Sequence, residues 1–299
     1  MARWLLSLAL LGPALVGAQE DGQLPAYLLQ LPASVTTILV AETDSSALHR
    51  IQNGPDGTEY LDERYMSVGQ KGVGKKRAWD NRTPLGIYFV NEQLDTTKLH
   101  ERYGPTAFPL DYPNAWDRIN DRSGDGIWIH GVDENGGRRP PLDTDGCIAL
   151  PNDELLVLEP VLVPAVTPVI ITRQVRWASP AEIAATRDEI AVALDAWTRS
   201  IRSGDLHSYL SLYADDFEYR GMNRDEWVRY RVETIAARSI DDILLSDLLL
   251  LADPEDDALY LSRFRQTIVE GDRTVVMMKR LYWRRAESGA LRIVAEDNG

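Results

Sequence analysis

Short apolar runs rich in β-branched and aromatic residues recur between residues 35 and 175, and they predict a mainly β domain. The runs at 35–41 and 168–172 are the densest in β-branched residues, and 87–90 and 127–130 are shorter candidate strands. Turns rich in glycine, asparagine and aspartate separate the runs, as expected where a chain reverses direction between strands.

The pattern changes after residue 177, where helical periodicity replaces the strand-like runs. Ser179 and Glu182, with a proline between them, are the start signal of a helix. A second helix is expected near Asn223, and strand-like runs follow it. Helices followed by antiparallel strands predict an α+β domain at 179–299. The apolar residues of the first helix recur at helical spacing and are Ile183, Ile190, Leu194, Trp197 and Ile201.

The N-terminus has the features of a secretory signal peptide at 1–18. Arg3 supplies the charged start, 4–15 is mostly apolar, and 16–18 offers small residues for cleavage. An uncleaved membrane anchor is the alternative, although the apolar run is shorter than the ~20 residues that a span needs. No later segment has such a pattern. We therefore expect an exported protein of the periplasm or cell envelope, with no integral membrane span after cleavage.

Charge and cysteine content exclude some classes of function. The formal net charge is −14, and an acidic chain without a basic face binds nucleic acid poorly, so no nucleic-acid partner is expected. Cys147 is the only cysteine, which in an exported protein indicates a reactive thiol or an intermolecular bridge. One cysteine and four scattered histidines give no metal-ligand spacing, so we expect no metal and no cofactor.

Cys147 follows His130 closely in sequence, and each has a glycine beside it. On a strand, Trp128 and His130 point to the same face, and Gly131 after them leaves room for a substrate. A neighbouring imidazolium would lower the pKa of the thiol and later protonate a leaving amine. The main-chain N–H groups of Gly146 and Cys147 would face a developing oxyanion. The alternative is a buried core cysteine and an unrelated histidine.

The motif around both residues resembles the catalytic domain of YkuD-type L,D-transpeptidases, which make or edit bacterial peptidoglycan cross-links. That family has a His-Gly, a variable loop, and then Ser or Thr, any residue, Gly-Cys and an apolar residue. The matching segments here are His130-Gly131 and Thr144-Asp145-Gly146-Cys147-Ile148. A further family motif, Thr-Pro-x-Gly before an aromatic, matches Thr83-Pro84-Leu85-Gly86-Ile87-Tyr88. The resemblance implies an L,D-transpeptidase-like β-sandwich at 35–175.

The resemblance also implies a substrate and a mechanism. Cys147 would attack the carbonyl on the L-centre of meso-diaminopimelate in a stem tetrapeptide, and D-alanine would leave, while His130 accepts and then donates the proton. The thioester would be resolved by an amine of another stem peptide, which is transpeptidation, or by water, which is carboxypeptidation. The candidate substrate-binding residues near this pair are Trp128, Gly131, Arg138, Arg139, Thr144 and Asp145.

Two positions depart from the family pattern. Many members have histidine where Asp145 stands, and arginine or asparagine where Ala149 stands. These departures resemble a subgroup that includes L,D-carboxypeptidases and enzymes that detach lipoprotein from the wall. Three hypotheses follow: an L,D-transpeptidase first, an L,D-carboxypeptidase or peptidoglycan–lipoprotein amidase second, and a non-catalytic wall-binding scaffold third.

The C-terminal domain resembles the SnoaL-like or nuclear-transport-factor-like α+β cone. Such cones often hold a pocket or dimerise, so a homodimer through this domain is an open hypothesis. A few L,D-carboxypeptidases that set cell shape in helical bacteria pair the same two domain types. The residues that carry the resemblance are Trp197, Gly204, Asp205, Tyr209, Tyr213, Asp216 and Phe217.

A basic segment at 69–82 begins with a near match to a phosphate-binding loop. Lys76 stands where that motif needs Ser or Thr, and no helix follows, so nucleotide binding is not expected. The segment has two remaining interpretations, attraction of anionic wall polymers or a solvated hairpin loop. Its basic residues are Lys71, Lys75, Lys76, Arg77 and Arg82.

Overall fold

The computed structural model describes residues 22–133, 137–236 and 240–299, and the signal peptide predicted at 1–18 lies outside them. The first half has two short helices, α1 (Ala115–Ile119) and α2 (Asn152–Leu158), and single 3₁₀ turns at Thr96–Lys98, Glu101–Tyr103 and Glu159–Val161. Its strands are β1 (Leu24–Pro25), β2 (Leu28–Gln30), β3 (Thr37–Glu42), β4 (Ala47–Gly54), β5 (Gly57–Tyr65), β6 (Val68–Gly69), β7 (Gly86–Phe89), β8 (Ala107–Pro109), β9 (Trp128–His130), β10 (Leu142–Thr144), β11 (Ile148–Ala149), β12 (Pro168–Thr172) and β13 (Trp177–Ala178).

The main sheet of the first domain has five strands in the order β5-β4-β3-β12-β7. Its central strands β3 and β12 are parallel and lie between two cores. Leu39 and Ile171 face one core, whereas Ile38 and Ile170 face the other, because successive side chains of a strand point to opposite faces. Burial on both faces explains why these two strands are continuous apolar runs in the sequence.

A smaller sheet carries the motif residues. It has the order β11-β9-β8, with β11 parallel to β9, and it packs across the first core from the main sheet. Ile129 and Ile148 anchor this sheet in the core, and Leu155 of α2 covers its end. The strand pair β10 and β6 lies beside it and positions the chain that enters Cys147.

The second domain is a sheet with helices packed against it. Its elements are α3 (Pro180–Ser203), α4 (Leu206–Ser211), β14 (Tyr213–Tyr219), β15 (Met222–Asn223), α5 (Arg224–Ala236), β16 (Asp242–Ala252), β17 (Leu259–Glu270), β18 (Arg273–Arg285) and β19 (Leu291–Asp297). α3 begins at the predicted start, where Ser179 and Glu182 cap each other reciprocally, and it is followed by Gly204 in the left-handed conformation. The sheet order is β15-β14-β19-β18-β17-β16-β2. The predicted mainly β domain followed by an α+β domain is thus confirmed.

The core of the second domain is rich in aromatic residues. Trp197 of α3, Tyr213 of β14 and Trp227 of α5 are buried, and the rings of Tyr213 and Trp227 lie 4.1 Å apart. These large side chains belong to one buried apolar cluster with residues of the helices and of the sheet. The periodicity that predicted α3 therefore reflects burial of one helix face in this core.

The segment before residue 35 joins the two domains. β2 pairs with β16 and adds an edge strand to the second domain's sheet, and β1 pairs with β13. A shared apolar core lies between the main sheet and the second domain, where Ile38 and Ile170 belong to the same cluster as Leu261 and Tyr282. A buried core of this kind restricts motion of one domain against the other.

Ionic contacts reinforce the domain interface. Arg280 of β18 bonds to Asp111 of the first domain and, at 2.6 Å, to Asp297 of its own domain. Arg263 lies over the ring of Phe89 at 4.6 Å. Within the residues that the structure describes, no helix is both long enough and apolar enough to cross a membrane.

Candidate active site

Cys147 and His130 lie on neighbouring parallel strands. The register pairs Ile148 with Ile129 and Ala149 with His130, so Cys147 precedes the pairing by one residue. Because Ile129 and Ile148 both point into the core, the alternation of a strand turns His130 and Cys147 to the opposite face. The sequence places these two residues far enough apart for a loop between them, and the fold brings their strands side by side.

Two backbone groups hold the sulfur of Cys147. Its thiol donates to the carbonyl oxygen of Gly126 at 3.3 Å, and the N–H of Trp128 donates to the sulfur. The residue is half-buried. Burial raises the pKa of the thiol to about 11, although the Trp128 bond and the charge of Arg102 act in the opposite direction. At neutral pH the resting cysteine is therefore a protonated thiol.

His130 is buried, and one of its ring nitrogens is already committed. Nδ1 lies 2.6 Å from the carbonyl oxygen of Gly131, and since that oxygen can only accept, Nδ1 carries the proton. Nε2 is then left as the basic nitrogen. Burial lowers the pKa of His130 to about 4. The resting side chain of His130 is thus a neutral imidazole, which suits a general base.

Tyr103 and Arg102 come from the 3₁₀ turn at Glu101–Tyr103 and complete the site. The Tyr103 ring meets the His130 ring edge-on at 5.2 Å and lies 4.8 Å from the Trp128 ring. Arg102 donates to the Tyr103 hydroxyl at 2.7 Å. Its positive charge acts on Cys147, whose pKa it lowers. Sequence reasoning missed both residues, because no motif links this turn to the cysteine.

Gly131 is needed for packing. A Cβ built there would lie 2.3 Å from Oδ1 of Asn152 and 2.9 Å from Cδ of Pro105. Asn152 accepts from the N–H of Val132 at 2.8 Å and so fixes the chain just after His130. The Cβ position of Gly131 is thus occupied by protein, so glycine is required there for packing.

The predicted oxyanion donors differ in availability. The N–H of Gly146 donates to the Thr144 hydroxyl at 3.1 Å, and that hydroxyl donates to the carbonyl oxygen of Cys147 at 2.7 Å. Gly146 is therefore engaged in the turn, which corrects its predicted role as a free donor. Thr144 is buried and shapes the turn, so its predicted contact with substrate is replaced by a positioning role. The N–H of Cys147 stays a candidate.

Thr83 stabilises the turn that carries Cys147 through its side-chain hydroxyl. Its hydroxyl accepts from the N–H of Gly69 and donates to the carbonyl oxygen of Gly146, each at 2.9 Å. Gly146 has φ +130°, and a Cβ there would lie 2.7 Å from the carbonyl oxygen of Arg82. The Thr-Pro-x-Gly motif thus supports the Gly-Cys motif through direct hydrogen bonds.

Two segments of the chain match models of known protein families. Residues 39–171 match the model of the YkuD L,D-transpeptidase catalytic domain. This region is an L,D-transpeptidase catalytic domain. Residues 189–297 match the model of the Cds6 C-terminal NTF2-like domain, so both resemblances predicted from the sequence are confirmed. Among curated proteins, none matches the chain.

Two solved structures share the fold of both domains. Bd1075 from Bdellovibrio bacteriovorus is 22% identical, with a TM-score of 0.76 over 93% of this chain and 98% of that chain. The helical cell shape determining protein Pgp2 from Campylobacter jejuni is 24% identical, with a TM-score of 0.74 over 90% of this chain and 96% of that chain. The order of an L,D-transpeptidase domain and an NTF2-like domain is therefore common to all three folds.

The two arginines that are candidate substrate-binding residues of the L,D-transpeptidase domain have partners within the protein. Arg138 lies over the ring of Tyr65 at 3.5 Å, a cation–π contact. Arg139 pairs with Asp143 at 3.6 Å, and its charge helps to lower the pKa of His130. Asp145 is exposed, and its negative charge acts to raise the pKa of Cys147. Arg102 is thus the better-placed cation beside the sulfur.

Neither domain offers a metal centre among the residues that the structure describes, where no group of three or more His, Cys, Asp or Glu side chains could hold an ion. The NTF2-like domain has a small cavity of 80 Å³ lined by Trp197, Tyr209 and Arg231 among others. Arg231 donates to the Tyr209 hydroxyl at 2.9 Å, whereas its buried Nε has no hydrogen-bond partner among the described residues.

Gly146→Ala is expected to destabilise the L,D-transpeptidase domain by on the order of 3 kcal/mol. The alanine would need φ +130° and would place its Cβ against the Arg82 carbonyl oxygen. Urea unfolding checks this. Gly57→Ala is the matched control, because Gly57 has φ +122° with nothing within 4 Å of a built Cβ. An equal decrease in the free energy of unfolding of the two variants would show that the Arg82 contact does not constrain the turn.

Proposed function

We propose that the chain is a peptidoglycan-modifying cysteine acyltransferase that acts on stem peptides ending in meso-diaminopimelate–D-alanine. The observation that carries the proposal is the placement of Cys147 and His130 on one face of two paired strands, inside an L,D-transpeptidase domain. Members of this family act on peptidoglycan in the cell envelope. Export through the segment 1–18 would bring the chain to that substrate.

In the acylation step, the sulfur of Cys147 attacks the carbonyl carbon on the L-centre of meso-diaminopimelate. Nε2 of His130 takes the thiol proton as the C–S bond forms, and the carbonyl oxygen becomes an oxyanion that the N–H of Cys147 can bind. The C–N bond to D-alanine then breaks, and the proton on His130 passes to the departing amine. The products are a thioester on Cys147 and free D-alanine.

The surroundings of the sulfur favour a proton transfer coupled to attack. A thiol with a pKa of about 11 has little thiolate at neutral pH, so a neutral imidazole must remove the proton when the substrate is in place. The N–H of Trp128 then stabilises the charge that develops on sulfur. Arg102 supplies a positive charge for the carboxylate of the leaving D-alanine.

The acceptor that resolves the thioester distinguishes the candidate functions. An amine of a second stem peptide gives a 3–3 cross-link, which is the L,D-transpeptidase reaction. Water gives a tripeptide stem, which is the L,D-carboxypeptidase reaction and the second candidate. The second candidate is favoured by the fold shared over both domains with Pgp2, named a helical cell shape determining protein, because trimming of stem peptides is one route to altered shape.

Product analysis tests the proposal. We expect the protein to release D-alanine from a purified disaccharide tetrapeptide, with mass spectrometry showing either a tripeptide or a 3–3 linked dimer. The matched control substrate is the disaccharide tripeptide, which has no D-alanine to lose. Absence of D-alanine release by folded protein would reject the L,D-transpeptidase and L,D-carboxypeptidase reactions and leave the peptidoglycan–lipoprotein amidase and the non-catalytic wall-binding scaffold.

A further inference from the structure

A fully exposed tryptophan stands at the tip of a basic loop next to the site. Trp79 is 94% exposed and has φ +60°, a conformation that bulky residues rarely adopt. The neighbouring Asn81 also has positive φ, at +55°. A large apolar ring held out in solvent by an unfavourable backbone conformation indicates a contact surface. We call residues 70–82 the Trp79 loop.

Asp80 holds the Trp79 loop in shape. Its carboxylate accepts from the N–H groups of Lys76 and Arg77, at 2.8 and 3.1 Å, and from Nζ of Lys75 at 2.9 Å. Although burial opposes them, these bonds lower the pKa of Asp80 to about 2, so the brace persists at any physiological pH. The loop therefore presents Trp79 in a defined position.

The outer surface of the loop is positive. Asp80 is used internally by the buried Lys75, which leaves the exposed cations without a neutralising acid inside the loop. Exposed acids lie on neighbouring segments, at Asp121, at Asp125 and at Glu255, which lines a cavity together with Lys76. The excess of positive charge is therefore a property of the loop itself, in a chain whose net charge is −14. The exposed cations of the Trp79 loop are Lys71, Lys76, Arg77 and Arg82.

The Trp79 loop is continuous with the catalytic turn. The Arg82 carbonyl oxygen packs against Gly146, and the charge of Lys75 acts to lower the pKa of Cys147. The segment Gly124–Gly126 contacts both the Trp79 loop and Cys147. A Cβ built at Gly124 would lie 3.1 Å from Ala78, and the carbonyl oxygen of Gly126 accepts from the Cys147 thiol. The Trp79 loop therefore adjoins the turn that carries Cys147.

We propose that the Trp79 loop is a docking site for an acidic glycopeptide polymer, namely the peptidoglycan strand whose stem peptide reacts at Cys147. The indole of Trp79 packs on the apolar face of a sugar ring, and Lys76 and Arg77 pair with carboxylates of neighbouring stem peptides. The nature of the polymer rests on the proposed function. The docking itself requires only a carbohydrate face and negative charge.

Co-sedimentation of the full chain with purified peptidoglycan sacculi tests this inference. Trp79→Ala is expected to weaken binding about tenfold, as loss of an exposed aromatic anchor does in interfaces. Lys76→Glu with Arg77→Glu is expected to weaken it at least as much and to flatten its salt dependence. The two backbone bonds from Lys76 and Arg77 to Asp80 survive these changes, since they use main-chain N–H groups.

The controls lie on α3, away from the loop. Val192→Ala removes an apolar side chain that is 67% exposed, and Arg187→Glu with Arg199→Glu makes the same change of charge on an exposed helix face. Both should sediment like the unchanged protein. Thermal unfolding of every variant confirms that each is folded.

Several results would overturn the inference. They are absence of binding by the unchanged protein, equal binding by Trp79→Ala, or an equal loss in the α3 controls. If Trp79→Ala weakened binding to phosphatidylglycerol vesicles and not to sacculi, the loop would instead be assigned to a membrane surface. Because sedimentation measures binding and not turnover, repeating it with Cys147→Ala separates failure of docking from failure of the proposed reaction.

Discussion

Replacing Cys147 by alanine is expected to abolish D-alanine release from tetrapeptide stems, with a loss of more than about 10³-fold. The chain has one cysteine, so no second sulfur can form the thioester. Release is measured by quantifying free D-alanine over time with the purified disaccharide tetrapeptide. The same substitution should prevent trapping of a covalent adduct, observed as the intact mass of the protein after acid quenching.

Cys147→Ser is the matched control for size and hydrogen bonding. The hydroxyl can still donate to the Gly126 carbonyl oxygen, yet it is far harder to deprotonate than a thiol, so this variant should fold normally and be almost inactive. Thermal unfolding of both variants tests whether lost activity reflects lost structure. Full activity of Cys147→Ala would contradict the role of the sulfur, and the buried-cysteine alternative would then stand.

The strands that could be predicted are those with one dominant environment. β3 and β12 are buried on both faces and appear as β-branched runs. β5 lies at the edge of the sheet, where exposed and partly buried residues alternate along it. Its sequence, Gly57–Tyr65, therefore has no apolar run that would predict a strand. β1 and β2 are too short for any pattern, and their pairing is fixed only by contact with the rest of the chain.

The site could be predicted in part for a similar reason. Cys147 and His130 stand beside glycines that the backbone requires, and those glycines leave a sequence motif. Arg102 and Tyr103 reach the site through tertiary folding of a 3₁₀ turn, so their sequence neighbours give no sign of it. The protonation states of the pair depend on burial, which the motif does not encode.

The interface between the domains gives the L,D-transpeptidase domain a fixed partner. The shared core around Ile38 and Tyr282 packs against the main sheet of the first domain. Arg280 bonds across the interface to Asp111. Asp111 also accepts from the N–H of Phe89 in β7, next to the strand that carries Ile171. The second domain thus stabilises one face of the main sheet, and the opposite face packs against the core beneath Cys147 and His130.

Replacing His130 by glutamine is expected to lower kcat/KM for D-alanine release by about 10³-fold, the usual worth of a general base. Glutamine keeps a polar side chain of similar reach but cannot accept the thiol proton. The remaining rate should rise with pH toward about 11, where Cys147 ionises without help. His207→Gln, on the exposed surface of the second domain, is the matched control and should keep full activity.

The pH profile of the unchanged protein distinguishes a neutral pair from a preformed ion pair. With a pKa of about 4, His130 stays an unprotonated base down to that pH, so kcat/KM should be level at neutral pH and fall as the pH drops through about 4. Below that value the protonated ring cannot accept the thiol proton. In His130→Gln the break near pH 4 should disappear and leave only the steady rise toward alkaline pH. Alkylation of Cys147 that is fast and independent of pH between pH 5 and 9 would instead show a resting thiolate, and it would contradict the neutral pair.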